Sequence, residues 1–143
     1  MNGAREFEIV PNVSEGRDAS VIDACVVAME ANGVRVVHRT SDPVHHRSVI
    51  TAVGNASQTV AAAVALARVA HEHIDLRVHR GAHPRIGALD VLPFVPLRDA
   101  TLDDAVTLAH QAAARIWREV GVPSYLYGAA ASSPHRTHLA DVR

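Results

Sequence analysis

What most constrains the fold of this chain is how its hydrophobic period changes along its length. Glu6 to Val10 is a short strand candidate stopped at Pro11, followed by turn-forming residues at Asn12-Val13-Ser14-Glu15-Gly16. The spacing then predicts a helix from about Asp18 to Asn32, with Val21, Ile22, Cys25, Val26 and Met29 on one stripe and Gly33 at its C-terminal end. Val34 to His38 and Ser48 to Val53 read as strands, separated by a polar loop from Thr40 to Arg47. A long alanine-rich helix is expected from about Ser57 to Glu72, and Ile86 to Val95 carries a further strand ended by Pro96. This β-α-β-β-α-β order is that of the split βαβ arrangement. Thr101-Leu102-Asp103-Asp104 resembles a capping box, opening a third helix that ends near Val120, and Pro123 to Tyr127 is expected as a last short strand.

The expected class is therefore α+β: a two-layer, ferredoxin-like-related mixed sheet with helices on one face. At 143 residues, without repeat or linker, the chain reads as one domain spanning 1–143. Such a sheet leaves one face for another copy of the chain, a second lobe or a ligand, and a homodimer is the expectation.

Composition removes several function classes. A formal net charge of -1 makes no electrostatic bid for nucleic acid or an anionic membrane. The longest apolar stretch, Val60 to Ala70, is interrupted by Arg68 and is too short to span a bilayer. Arg5, Glu6 and Glu8 break any leader-like run, so the chain reads as soluble and cytoplasmic. Cys25 is the only cysteine, and its place on an apolar stripe predicts a buried, inert thiol. Ten histidines raise the question of a metal. His71 and His73 point to different helix faces, however, and Gly81 and Pro84 argue against a helix that would align His79 with His83, so no metal is expected.

The chemistry concentrates in three polar segments. His79-Arg80-Gly81-Ala82-His83-Pro84-Arg85-Ile86-Gly87-Ala88-Leu89-Asp90 combines an imidazole, a guanidinium and a carboxylate on a stiff loop. Gly81 and Gly87 allow close backbone approach there. That set suits proton transfer on an anionic substrate, while a purely structural loop has the same spacing. Asn12 to Arg17 leads into the first helix, where it serves either as a cap or as an anion site. Ser41 to Ser48 crowds Asp42, His45, His46 and Arg47 ahead of a strand, and reads either as a pocket loop or as a solvated connection.

At these residues the sequence resembles the N-terminal subdomain of the glutamate formimidoyltransferase family. Pro11-Asn12-Val13-Ser14-Glu15-Gly16-Arg17 is similar to the family's Pro-Asn-Phe-Ser-Glu-Gly-Arg, and Ser41 to Val49 to its Ser-Asp-x-Asp-His-Asn-Arg-Ser-Val. His79 to Pro96 resembles the family's longest signature, and Val122-Pro123-x-Tyr125-Leu126-Tyr127-Gly128 its next one. The resemblance implies that His83 is the catalytic general acid/base, moving a formimidoyl group between glutamate and tetrahydrofolate. It implies substrate or folate contacts from Asn12, Ser14, Glu15, Asp42, His46, Arg47, His79, Gly81, Arg85, Gly87, Asp90, Tyr127 and Gly128. It also implies tetrahydrofolate as co-substrate, in a channel shared with a second subdomain, which a partner chain or self-association would supply. Val44, His46 and Ala82 depart from the family's usual Asp, Asn and Glu. Those departures leave two further readings: other acid/base chemistry in the same pocket, or a lobe that binds folate or an anionic metabolite without turnover.

Overall fold

The computed structural model describes residues 5–82 and 85–142. Four strands open the sheet: β1 (Phe7–Ile9), β2 (Asn12–Val13), β3 (Arg35–Asp42) and β4 (Arg47–Gly54). β5 (Leu89–Val91) and β6 (Phe94–Pro96) complete it. The helices are α1 (Ala19–Glu30), α2 (Ala56–His73) and α3 (Leu102–Val120), followed by two single 3₁₀ turns and a short α4 (Leu139–Val142).

β1 and β2 form one line broken at Val10 and Pro11, and both pair with β4. β5 and β6 form a second broken line, pairing with β2 and β1 respectively, while β3 flanks β4 on its other side. With each broken line counted as one strand, the spatial order is second, third, first, fourth, which is the expected split βαβ order. Every pairing among the described residues is antiparallel, so the sheet is not mixed in strand direction as expected. The cause is the β3–β4 hairpin, which reverses the chain between the two crossovers.

α1, α2 and α3 cover one face of this sheet. On β4 the alternate residues Ser48, Ile50 and Ala52 are buried toward the helices, whereas Val49, Thr51 and Val53 turn the other way. Ile9, Val13, Ile22, Met29, Ile50 and Leu66 are wholly or almost wholly buried in the main cluster, each stabilising by about 1.5–3 kcal/mol. α2 lies between α1 and α3, where Ala62, Ala63, Ala67 and Ala70 keep its packed sides narrow. α3 presents Ala105, Leu108, Ala112 and Ile116 along one stripe.

The helix ends follow their local chemistry. Asp18 accepts from the Ser20 amide at the start of α1, and Asn55 with Gln58 forms a reciprocal capping box on α2. Thr101 and Asp104 form the box expected for α3, and Gly121 closes it. The last expected strand is absent: residues 123–127 run without a ladder partner into a 3₁₀ turn at Gly128–Ala130. The strand expected from Ile86 to Val95 is shorter and divided, because Pro93 has no N–H to donate.

Candidate functional site

The three polar segments meet at one end of the sheet, where β2 ends, the β3–β4 hairpin turns and the chain enters β5. The hairpin turn is residues 43–46, and His46 closes it with a left-handed φ of 53°. Gly16 passes so close beneath that turn that a Cβ there would strike the Asp42 carbonyl and the Arg47 amide. Residues 79–82 and Arg85 lie against the same turn. The Ala82 amide donates to the Val44 carbonyl at 3.3 Å, and a Cβ on Gly81 would stand 2.5 Å from the His45 oxygen. Arg85 donates from Nη1 to the His46 carbonyl at 2.8 Å and from Nη2 to the His45 carbonyl. Three successive carbonyls of the turn thus accept from one short segment.

Side chains tie the same segments together. The His46 and His79 rings stack with centroids 4.0 Å apart and planes 15° from parallel. The Gly16 amide donates to His46 Nδ1 at 2.9 Å, and Glu15 Oε2 lies 3.3 Å from that nitrogen. Arg85 Nη1 approaches His79 Nε2 at 2.9 Å. A guanidinium and a backbone amide only donate, so both imidazole nitrogens act as acceptors and both rings are neutral in this arrangement. Burial holds the proton affinity of His46 below its ordinary value of 6.5; His79, Arg17 and Arg85 act the same way, and Glu15 opposes them. His79 is lowered by burial and by Arg85, against hydrogen bonding with the Ser14 and His46 backbones and the charge of Glu15.

Around this stack, buried Ser14 donates to the Gly87 carbonyl at 2.8 Å, and buried Ser48 donates to the Glu15 carbonyl at 2.5 Å. Arg47 reaches Asn12 Oδ1 from Nε at 3.0 Å and from Nη2 at 2.5 Å. Asp42 accepts from the Val44 and His45 amides and holds His45 Nδ1 at 2.6 Å, which keeps its carboxyl below the usual range. Asp90 caps the entry to β5, accepting from the Ile86 and Gly87 amides.

Asn12, Ser14, Glu15, Asp42, His46, Arg47, His79, Gly81, Arg85, Gly87 and Asp90 therefore belong to one cluster. His83, the residue singled out as catalytic, lies outside the described residues, as does Pro84. Tyr127 and Gly128 stand apart from the cluster. They line a cavity of about 590 Å³ between α3, β5–β6 and the C-terminal segment, and Gly87 and Asp90 reach that cavity from the loop side. His45, Gly16 and Ser48 join the cluster although they were noted only within the motif segments and not among the expected contact residues. The Asp42–His45 spacing of three residues, with Pro43 between them, was the available signal for the first. Among the described residues no group of three or more His, Cys, Asp or Glu is placed to hold a metal ion.

Residues 7–143 match the family described as formiminotransferase domain, N-terminal subdomain. The chain is 45% identical over 141 residues to the glutamate formimidoyltransferase of Streptococcus pyogenes serotype M1, covering 98% of this chain and 47% of that protein. It is 45% identical over 137 residues to the glutamate formimidoyltransferase of Thermoplasma acidophilum, covering 95% of this chain and 45% of that protein. It is also 42% identical over 137 residues to the formimidoyltransferase-cyclodeaminase of Rattus norvegicus, covering a quarter (25%) of that protein. The chain thus spans just under half the length of the first two relatives.

Proposed function

Because the chain belongs to the formiminotransferase family as its N-terminal subdomain, we propose that it serves formimidoyl transfer between glutamate and tetrahydrofolate. The observation that carries this reading is the convergence of the three motif-bearing segments on one end of the sheet. A formimidoyl transfer asks for proton movement at two nitrogens. N5 of tetrahydrofolate loses a proton as it attacks the amidine carbon, and the glutamate nitrogen gains one before it leaves. His83 is the proposed general acid/base, on a segment whose flanking residues, Ala82 and Arg85, are both bonded to the β3–β4 turn.

The surrounding groups suit the substrates. Arg47, oriented by Asn12, matches a glutamate or folate carboxylate. Arg85 serves differently, because its terminal nitrogens are directed at the carbonyls of the turn. The apolar cavity reached at Gly87 and Asp90 has room for a flat ring of the co-substrate, with Tyr127 at its wall. We propose further that the sheet face opposite the helices is covered by a second copy of the chain or by a C-terminal subdomain.

The test mixes the protein with formimidoylglutamate and tetrahydrofolate and follows the formimidoylated folate, with light scattering on the same samples. His83→Ala is expected to lower turnover by about 10² or more while tetrahydrofolate binding persists. Absence of tetrahydrofolate binding at millimolar concentration would overturn the proposal. Binding without transfer, with or without the C-terminal half of a relative added, would favour a binding lobe.

A further inference from the structure

We propose that His46 is a positioning residue: its neutral ring joins the Gly16 amide to His79 and so seats His79, Ala82 and Arg85 on the β3–β4 turn, and taking up a proton at Nδ1 releases that seat.

The geometry gives His46 Nδ1 two neighbours with opposite requirements. The Gly16 amide, at 2.9 Å, needs a bare nitrogen to receive its proton, whereas the Glu15 carboxylate, at 3.3 Å, would take a proton from it. Glu15 Oε2 already accepts from the Arg17 and Asp18 amides, so the carboxylate is satisfied without His46. The Gly16 amide has a different position: it belongs to a buried residue and donates to His46. With neutral His46 both the Gly16 amide and the Glu15 carboxylate are served. Protonation points an N–H at the Gly16 N–H, so the ring must turn toward Glu15 and leave that amide without its acceptor.

The ring cannot turn alone. It is stacked on His79, whose Nε2 receives Arg85, and Arg85 in turn holds the His45 and His46 carbonyls. A second positive charge in the stack would face Arg85 as well as His79. The charged and titratable groups around His46 are Glu15 and Arg17 from the β2–α1 connection, Asp42, His45 and Arg47 from the hairpin, and His79 and Arg85 from the docked segment. Burial together with His79, Arg17 and Arg85 outweighs Glu15, which places the change on the acid side of an ordinary histidine. The turn's backbone adds a reason for this side chain to matter. His46 sits at φ 53°, a region in which Asn is comfortable and in which Asn Oδ1 lies near the place of His Nδ1. His46→Asn therefore keeps the acceptor and removes the titration.

The experiment is NMR on the protein as it stands, following histidine ring nitrogens and backbone amide exchange from pH 8 to pH 5. It uses no substrate, so its failure is separate from failure of the transfer reading. At pH 8 the His46 ring proton is expected on Nε2, with the Gly16 and Ala82 amides both protected. On acidification both amides should lose protection by at least about tenfold, with one shared midpoint below 6.5. His46→Asn should retain protection of Gly16 and abolish that midpoint, and His46→Ala should expose Gly16 and Ala82 together at every pH. A ring proton on Nδ1 at pH 8, an Ala82 amide indifferent to His46→Ala, or an unchanged midpoint in His46→Asn would each overturn the proposal.

Discussion

At the scale of single residues, Cys25 shows how position on a stripe decides chemistry. Its side chain is wholly buried between α1 and the sheet, and burial first, then the charge of Glu15, pushes its thiol up to about 11. Only about one molecule in a thousand then carries a thiolate at pH 8. Ellman's reagent is accordingly expected to leave the native protein unmodified over hours and to react at once in 6–8 M urea (roughly full unfolding). Rapid reaction of the folded protein would contradict that burial. Arg85 teaches the opposite lesson. A guanidinium beside a candidate catalytic histidine reads from sequence as a carboxylate fork, yet here it holds backbone carbonyls of a turn some forty residues earlier. Nothing in the spacing of residues 79–90 names those acceptors, because they exist only once the β3–β4 hairpin is formed.

Among the elements, the ends of α3 carry the clearest local control. Thr101 accepts from the Asp104 amide at 3.1 Å and Asp104 accepts from the Thr101 amide at 2.9 Å, both far from the loop cluster. Thr101→Ala should cost about 1 kcal/mol and lower Tm by about 3–4 °C in calorimetry, with the loop amides unmoved. A loss near zero would show that neighbouring structure, not the cap, fixes this end. Helices were the most legible part of the sequence for the same reason: their stripes and caps are local, and the expected bounds of α2 and α3 fall within a residue or so of those found. Strands were less so. Pro123 to Tyr127 has aromatic residues suited to a strand, but strand formation needs a partner edge in reach, and local sequence does not report one. The three site segments were legible as motifs, their meeting point was not, and His45 was seen only as part of the polar loop because its link to Asp42 depends on the tightness of a four-residue turn.

For the molecule as a whole, the charge pattern sets two acid transitions. His46 and His79 bind protons less readily in the folded chain than in the unfolded one, so their contribution to stability is complete above about 6.5 and is lost as pH falls below it. Asp18, Asp42 and Asp104 are lowered by hydrogen bonds, and Asp75 is lowered to about 2 by Arg77, so their contribution is present above the ordinary aspartate value and lost on further acidification. Urea midpoints should therefore be flat from about pH 8 to 6.5, decline toward about pH 5, and decline again below about pH 4. A curve that stays flat through the first window would show that the two histidines are not held neutral by the fold.

The matched interruptions of the sheet have a consequence of their own. Val10-Pro11 and Leu92-Pro93 lie opposite one another, between the pairs Ile9↔Phe94 and Asn12↔Val91, while β4 runs unbroken beside them. The two prolines draw a fold line across two strands and leave the third as its spine. On one side, β1 and β6 pack against α3; on the other, β2 and β5 lead into the loop cluster. The buried cluster nevertheless runs across that line, joining Ile9 to Val13 and α1, so a change at the loop end is felt by the packing directly behind it.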